Sequence, residues 1–515
     1  MPQTIQNGLK PYGFVYDLLK NLHVPVKWVI NSAKVKDGVD FTYNGNDYRG
    51  GSFVILNEYR TNEVNAAINK WIALGVVGET ITMSLNLEVY ATLSYPPRWT
   101  LDNEGYTNLV TPFFSNAGIP SSAYGGDSFS SWKKPAELDG CDDIFVQPHA
   151  EPTYATHQNL IAWNRDAQGA IWASCHAVSI LENVGINFLT TNGMITYTLH
   201  QGGTPPYTYS RPADPFMQFM GVQDDASNNG SEPIFLPQNG SSWNPGVVTY
   251  ITQPGHPAIG PLSSTGPAAV VALGYGFDDP NRGLVMYQGG HSLNGDVNSG
   301  PPFGPQHIAA QRAFFNFSFL AVVDKQTRIV SSGPVITIIA SPRMNAGTPY
   351  PVRFSVPASV DLSQYKIKWS VSSGQILPDA TSREITYIPS ADVRVKRVII
   401  TLSLTDNCNR EFFGSLSVIL KEVSVSKLVS SNGDGLGYDF LEIKNIEYYP
   451  DNEIDIYNRW GNVVYHAKGY DNNTVKFVGL NSKGKEVTDG VYYYALKIVD
   501  DLNPQTIQGY FILKR

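Results

Sequence analysis

Two short segments carry the residue types that covalent chemistry needs. In Ala170-Ile171-Trp172-Ala173-Ser174-Cys175-His176-Ala177-Val178-Ser179-Ile180-Leu181, an apolar run delivers Cys175 to a sharp turn, and a helical pattern begins at once. A helix start lowers a thiol's pKa and offers backbone N–H groups to a developing oxyanion, so this arrangement is a nucleophile elbow, with His176 beside the thiol. In Arg282-Gly283-Leu284-Val285-Met286-Tyr287-Gln288-Gly289-Gly290-His291, a second apolar run ends in Gly-Gly and presents His291 at its carboxyl end. Ligands of open parallel sheets bind beyond the carboxyl ends of the strands, so Cys175 and His291 are expected to meet there. The chemistry would be acyl transfer, with a Cys175 thiolate attacking an amide or ester carbonyl and a histidine shuttling the proton. The plainer reading stands beside it: a Cys that closes an apolar strand is also a common small packing residue.

Other candidates surround these two. His149, in Gln147-Pro148-His149-Ala150-Glu151-Pro152, follows a strand, and His157 opens the next helix, so both are placed at the same sheet edge with Glu151 as the nearest acid. A metal site of His149, His157 and His291 is one use of them, although their spacing matches no ligand signature; satisfied polar residues at loop starts are the other. His200, with Tyr207 and Tyr209, lies in a Gly- and Pro-rich stretch, where the aromatics either line a ligand groove or staple a long loop.

The elements that must position these residues alternate as in an α/β domain. Helices are expected over 12–22, 62–74 (apolar Val64, Ala67, Ile68 and Trp71 at helical spacing), 156–166 and 308–322. Strands are expected over 26–30, 52–56, 143–147, 169–174 and 283–288, with residues about 186–265 reading as an insertion. After residue 327 the helical signals stop. Strand-like runs at 335–339, 366–371 and 398–405, with Trp369 as a core residue, read as one β-sandwich over 334–423. Runs at 453–457, 462–465, 491–499 and 508–513 read as a second over 426–515. Because the head closes with its own helix, few core contacts are expected across 324–334, and the head is expected to fold alone.

Composition narrows the function classes. The chain has 515 residues, 37 Lys plus Arg against 45 Asp plus Glu, and a net charge of −8, which leaves no electrostatic footprint for nucleic acid. Charged residues make up only 16 %, against 46 Gly, 34 Pro and 29 Tyr, a strand- and loop-rich balance common in extracellular bacterial proteins. Cys141, Cys175 and Cys408 allow one pair and leave at least one thiol, and fit neither a zinc pattern nor a CxxC pair. No apolar run is long enough to be a transmembrane segment. The N-terminus has neither a basic nor an apolar leader region, so an exported chain is expected to begin here in mature or trimmed form.

The Cys175-His176 elbow and the strand ending in Gly289-Gly290-His291 together resemble the class I glutamine amidotransferase-like superfamily, in its ThuA-like and PfpI-type branches. The resemblance spans about residues 8–326 and implies a flavodoxin-like head with a mostly parallel sheet, with catalytic positions at Cys175, His291 and His176. It departs from amidotransferases in having no Glu directly after His291.

The last segment resembles a different family. Ser431-Asn432-Gly433-Asp434-Gly435, Tyr438-Asp439-Phe440, Ile454 through Tyr465 with Asn458-Arg459-Trp460-Gly461-Asn462, Asp489-Gly490-Val491-Tyr492-Tyr493-Tyr494 and Gly509-Tyr510-Phe511 follow the order of the gliding-motility-associated C-terminal domain. That is the type B sorting domain of the type IX secretion system of Bacteroidota. It implies the secretion machinery as partner and an extracellular or outer-membrane cell-surface location, and Trp460 is expected to be mostly buried. Asn432, Asp434 and Asp439 are candidate oxygen ligands for a structural Ca²⁺, though short of an EF-hand spacing; no other cofactor is expected. Residues 334–423 resemble immunoglobulin-like or PKD-like spacers in strand rhythm alone.

The whole therefore reads as multidomain, an α/β amidotransferase-like head followed by two all-β immunoglobulin-like sandwiches on an exported surface protein. Its head is a Cys-dependent amide or ester hydrolase, or else non-catalytic. A carbohydrate- or peptide-binding adhesin would stack ligands on Trp99, Trp132, Trp163, Tyr207 and Tyr209. A surface-layer or filament subunit would self-associate through β-sandwich edges. An echo of Pro2-Gln3-Thr4-Ile5-Gln6 in Pro504-Gln505-Thr506-Ile507-Gln508 bears on the last, as strand exchange or as chance.

Overall fold

A computed structural model describes the chain apart from residues 1–2, 150–153, 184, 196–202, 225–234, 254–267, 291–292, 294–303, 331–334, 342–343, 359, 393–394, 409, 433–437 and 501–502. The chain is multidomain and β-rich. Its largest unit is built on a seven-stranded mixed sheet in the order Trp99–Leu101, Ile144–Gln147, Ala170–Ser174, Leu284–Gln288, Ala268–Tyr275, Val248–Gln253, Thr208–Tyr209. The first four strands run parallel and the last three alternate in direction. The central strands are apolar on both faces because both faces are covered. Alternate side chains feed two cores: Ala170, Trp172 and Met286 face one with the long helix Pro305–Val330, while Ile171, Ala173 and Val285 face the other with the helices Asn159–Asp166 and Ala177–Asn183.

The starts of the two central strands are tied together by contacts that only small residues permit. A Cβ on Gly283 would lie 1.9 Å from the Gly169 carbonyl oxygen, and the buried Asn164 Nδ2 donates to the carbonyls of both Gly169 and Gly283, at 2.9 and 3.0 Å. The carboxyl ends of Ala170–Ser174 and Leu284–Gln288 are thereby held level, with Ser174 opposite Gln288.

Two expectations about this unit differ from the structure. The strand Val26–Val29 does not join the parallel sheet; it pairs antiparallel with both Ser52–Val54 and Val89–Leu93 in a separate three-stranded sheet. The stretch 186–265 supplies the last two strands of the sheet, Val248–Gln253 and the edge strand Thr208–Tyr209, so part of it extends the main sheet.

Beyond the helix Pro305–Val330, a four-stranded and a three-stranded antiparallel sheet close over one core. Val352, Ile385 and Tyr387 come from the first, and Trp369, Ile400, Leu402 and Leu404 from the second. Trp369 is buried, its Nε1 donating to the Ser382 carbonyl at 2.8 Å. The C-terminal unit is a five-stranded sheet in the order Leu428–Val429, Asn503–Leu513, Gly490–Asp500, Asn452–Tyr457, Val463–Lys468, packed on a core that includes Phe477, Tyr470 and Phe511. Trp460 is not part of that core. It is 70 % exposed at the tip of the hairpin, with the Arg459 guanidinium 4.3 Å over its ring, because the turn 458–462 lifts it off the sheet face.

The boundary after the long helix is crossed by more than was expected. Cys141 and Cys408 form a disulfide between the α/β unit and the adjoining sandwich. Arg98 donates to the carbonyl oxygens of both half-cystines and, at 2.8 Å, to Asp143. Tyr95 and Phe412 pack edge to face across the same junction, and Arg410 Nη1 donates to the Gly140 carbonyl at 3.4 Å.

Candidate functional site at the carboxyl edge of the parallel strands

The four parallel strands end at Leu101, Gln147, Ser174 and Gln288, and the polar residues that follow share one edge. Cys175 comes directly after its strand, with φ +52°, a left-handed conformation that non-glycine residues adopt at a cost of about 1 kcal/mol. In a continuing strand Cys175 and His176 would point to opposite faces. The left-handed turn instead brings both onto one point with His149: the thiol and one nitrogen of each imidazole all lie within 4.8 Å of one another. The His149 and His176 rings are 4.6 Å apart, and Tyr106 packs against His149 at 5.1 Å. Cys175 is buried, whereas His149 and His176 are half-buried. The His149 N–H donates to Ser174 Oγ at 3.4 Å, which holds the two loops together.

The helix that follows is only Ala177–Asn183, and its first N–H groups are partly spent: Val178 donates to the Cys175 carbonyl and Ser179 to that of His176, at 3.2 and 2.9 Å. On the neighbouring strand, Gln147 is fully buried at the end of Ile144–Gln147, and neither its Nε2 nor its Oε1 has a hydrogen-bond partner among the described residues.

His157 does not join this cluster. It is completely enclosed, its Nε2 donating to Asp102 Oδ2 at 3.0 Å and its Nδ1 lying 2.7 Å from Thr156 Oγ1. Asp102 also accepts from the Glu104 N–H at 2.9 Å. The sequence gives no signal for Asp102, because Trp99–Leu101 is a three-residue strand, too short to show a period.

Tyr207 and Tyr209 belong to the outermost strand region, four strands from Ala170–Ser174, or about 19 Å at ordinary strand spacing. Tyr207 is buried, and the Tyr209 hydroxyl donates to Asp224 at 2.6 Å and accepts from the Gln223 N–H. Neither is brought to the cluster. Trp99 and Trp163 are core residues whose Nε1 atoms donate to Ser318 Oγ and the Asp139 carbonyl, so they offer no stacking surface. His291, Glu151, His200 and Asp434 lie outside the described residues. Asn432 is exposed and Asp439 half-buried on either side of the undescribed residues 433–437.

A further ionisable cluster among the described residues lies behind the sheet. Glu182 is fully buried and accepts from Tyr287 Oη, Thr190 Oγ1 and the N–H groups of Leu189 and Thr190. Burial pushes its carboxyl up to about 7, against the pull of those donors.

The comparisons with known proteins bear on the C-terminal unit. A family model described as the CHU_C type IX secretion signal domain matches residues 423–513. No curated protein matches the chain. Among solved structures, PorZ of Porphyromonas gingivalis, described as an essential bacterial surface component of its type IX secretion system, is 16 % identical over 22 % of this chain and 15 % of its own, with a TM-score of 0.14. Dimeric latent PorU of the same organism is 10 % identical over 53 % of this chain and 25 % of its own, TM-score 0.13. A segment of two fibronectin type III domains from chicken tenascin is 15 % identical over 34 % of this chain and 97 % of its own, TM-score 0.18. At such scores these likenesses carry no argument. The family match marks a type IX secretion signal, and with it a protein exported to the cell surface or the extracellular space by that machinery. Among the described residues no helix is long and apolar enough to cross a membrane.

Proposed function

We propose that this type IX-exported surface protein is a cysteine-dependent amide or ester hydrolase whose head has an amidotransferase-like build, from a bacterium of the Bacteroidota. The observation that supports the reading is the left-handed turn at Cys175, which puts a buried thiol beside two imidazoles at the carboxyl edge of parallel strands. In this reading an imidazole of His149 or His176 takes the thiol proton and the thiolate adds to the carbonyl carbon. The imidazolium returns the proton to the departing amine or alcohol, and water then releases the acid from the thioester. The Ala177 N–H at the helix start is the donor assigned to the oxyanion.

The surface-subunit alternative loses one support. Gln3 Nε2 donates to the carbonyls of Asn7 and Gly75, and Gln3 Oε1 accepts from the Val77 N–H, so the start of the echo is tied to its own head. The hydrolase reading is tested on purified full chain with a panel of chromogenic esters and anilides. Turnover should vanish in Cys175→Ala and fall by about 100-fold or more in His149→Ala or His176→Ala. Turnover that persists in Cys175→Ala would overturn it.

A further inference from the structure

The Cys175 cluster has a second chemical meaning that the hydrolase reading does not use. A tetrahedral metal with one sulfur at about 2.3 Å and nitrogens at about 2.0 to 2.1 Å needs its donor atoms roughly 3.3 to 3.6 Å apart. The Cys175 thiol and the ring nitrogens of His149 and His176 already lie within 4.8 Å of one another, so shifts of about an ångström close the set. Three features argue that this is a built arrangement. The three side chains come from two loops joined by the His149 N–H to Ser174 Oγ contact. The donors of neighbouring residues 175 and 176 converge only because Cys175 holds a left-handed backbone. And Cys175 is buried while both histidines are half-buried, which leaves room on the solvent side for an exchangeable ligand.

We propose that His149, Cys175 and His176 form a binding site for one Zn²⁺ ion, with a fourth position left for water or an incoming ligand. The donor chemistry selects the metal: one thiolate and two imidazoles disfavour Ca²⁺ and Mg²⁺, and a closed-shell ion with no geometric preference tolerates the tight bite of adjacent residues. The other described cluster, Glu453, Asp455 and His466, is a poorer site. Its carboxylate Glu453 already lies 3.6 and 3.4 Å from Lys468 and Lys497, and His466 pairs with Asp455 at 2.8 Å. Binding converts the Cys175 S–H to a zinc thiolate and releases that proton, so affinity rises with pH. Coordination engages the thiolate and lowers its nucleophilicity, so the ion would keep an exported thiol reduced and less reactive until removed.

The test uses full-length protein stripped with a chelator and titrated with Zn²⁺ alone against a chromogenic competitor, and in parallel with Co²⁺. Expected are one Zn²⁺ per chain, a thiolate-to-cobalt charge-transfer band in the near ultraviolet, and protection of Cys175 from alkylation. Cys175→Ser, His149→Ala and His176→Ala should each weaken zinc by about 100-fold or more, and His466→Ala should change nothing. Stoichiometry unmoved by Cys175→Ser, a cobalt complex without the thiolate band, or uptake of copper but not zinc would each overturn the proposal. The cobalt spectrum is read on the unsubstituted chain, so a variant that fails to fold leaves the test intact. None of these readouts requires turnover, and hydrolase activity can fail while zinc binding succeeds.

Discussion

Cys141 is bonded to Cys408, 267 residues later, and the carbonyl oxygens of both residues are held by the guanidinium of Arg98. The junction between the α/β unit and the sandwich is therefore a covalent bond inside a polar clasp. If a protease site is placed between residues 330 and 335 and cut, the two pieces should migrate as one on a non-reducing gel and separate on adding dithiothreitol. Denatured but unreduced chain should titrate one thiol. Separation without reductant would show that the bond does not form in the protein.

Arg98 also neutralises Asp143, which is buried and receives Lys325 Nζ at 2.8 Å as well. Burial alone would raise the Asp143 pKa, but Lys325 and Arg98 outweigh it and hold the carboxyl below its ordinary value. The stability this contributes is present above the carboxyl's unfolded pKa and is lost as pH falls through the lowered folded one. Arg98→Ala should cost roughly 3 kcal/mol at neutral pH, read by urea unfolding, because it leaves a buried carboxylate with one partner. The cost should shrink in acid, and a pH-independent cost would count against the ion pair as its source.

The sign is reversed at Glu182. Its folded pKa of about 7 lies above that of an unfolded Glu, so the folded chain holds the proton more tightly. That contribution is complete below the unfolded pKa and is lost as pH rises to about 7. Relative to Glu182→Gln, the parent chain should lose roughly 3 kcal/mol between about pH 4 and pH 7. Paired urea melts at the two pH values measure it, and a constant difference would contradict the raised pKa.

Trp460 is a surface residue and Phe477 a core one, although both are large and apolar. Trp460→Ala should shift the unfolding free energy by less than about 0.5 kcal/mol. Phe477→Ala should cost about 3 to 5 kcal/mol. Melting curves of the two variants side by side decide it; a comparable loss in both would mean that the hairpin tip is packed in solution.

The sequence by itself determined the elements whose period is strong and the address of the protein. The runs around 170–174 and 284–288 lie on strands buried on both faces, and those around 398–405 and 491–499 lie on strands whose buried residues alternate with more exposed ones, so each shows its own local pattern whatever its partners. The ordered motifs of the last ninety or so residues pointed to the secretion signal through their resemblance to a known sorting domain, which the family match over residues 423–513 supports. The Cys175 elbow was legible too, since a strand, a turn and a helix written in succession need no long-range information.

Only the tertiary structure decided what met what. That His149 rather than His157 reaches Cys175 depends on the register between neighbouring parallel strands, with Gln147 opposite Ala173 and the His149 N–H on Ser174 Oγ. That Val26–Val29 leaves the main sheet, that Cys141 finds Cys408 and that Trp460 stands in solvent are all outcomes of pairing between segments far apart in the chain. An apolar pattern says that a side chain has to be covered or can be tolerated in the open. Which of these happens is settled by the free energy of the whole packing, and a single line of residues does not contain the neighbours that set it.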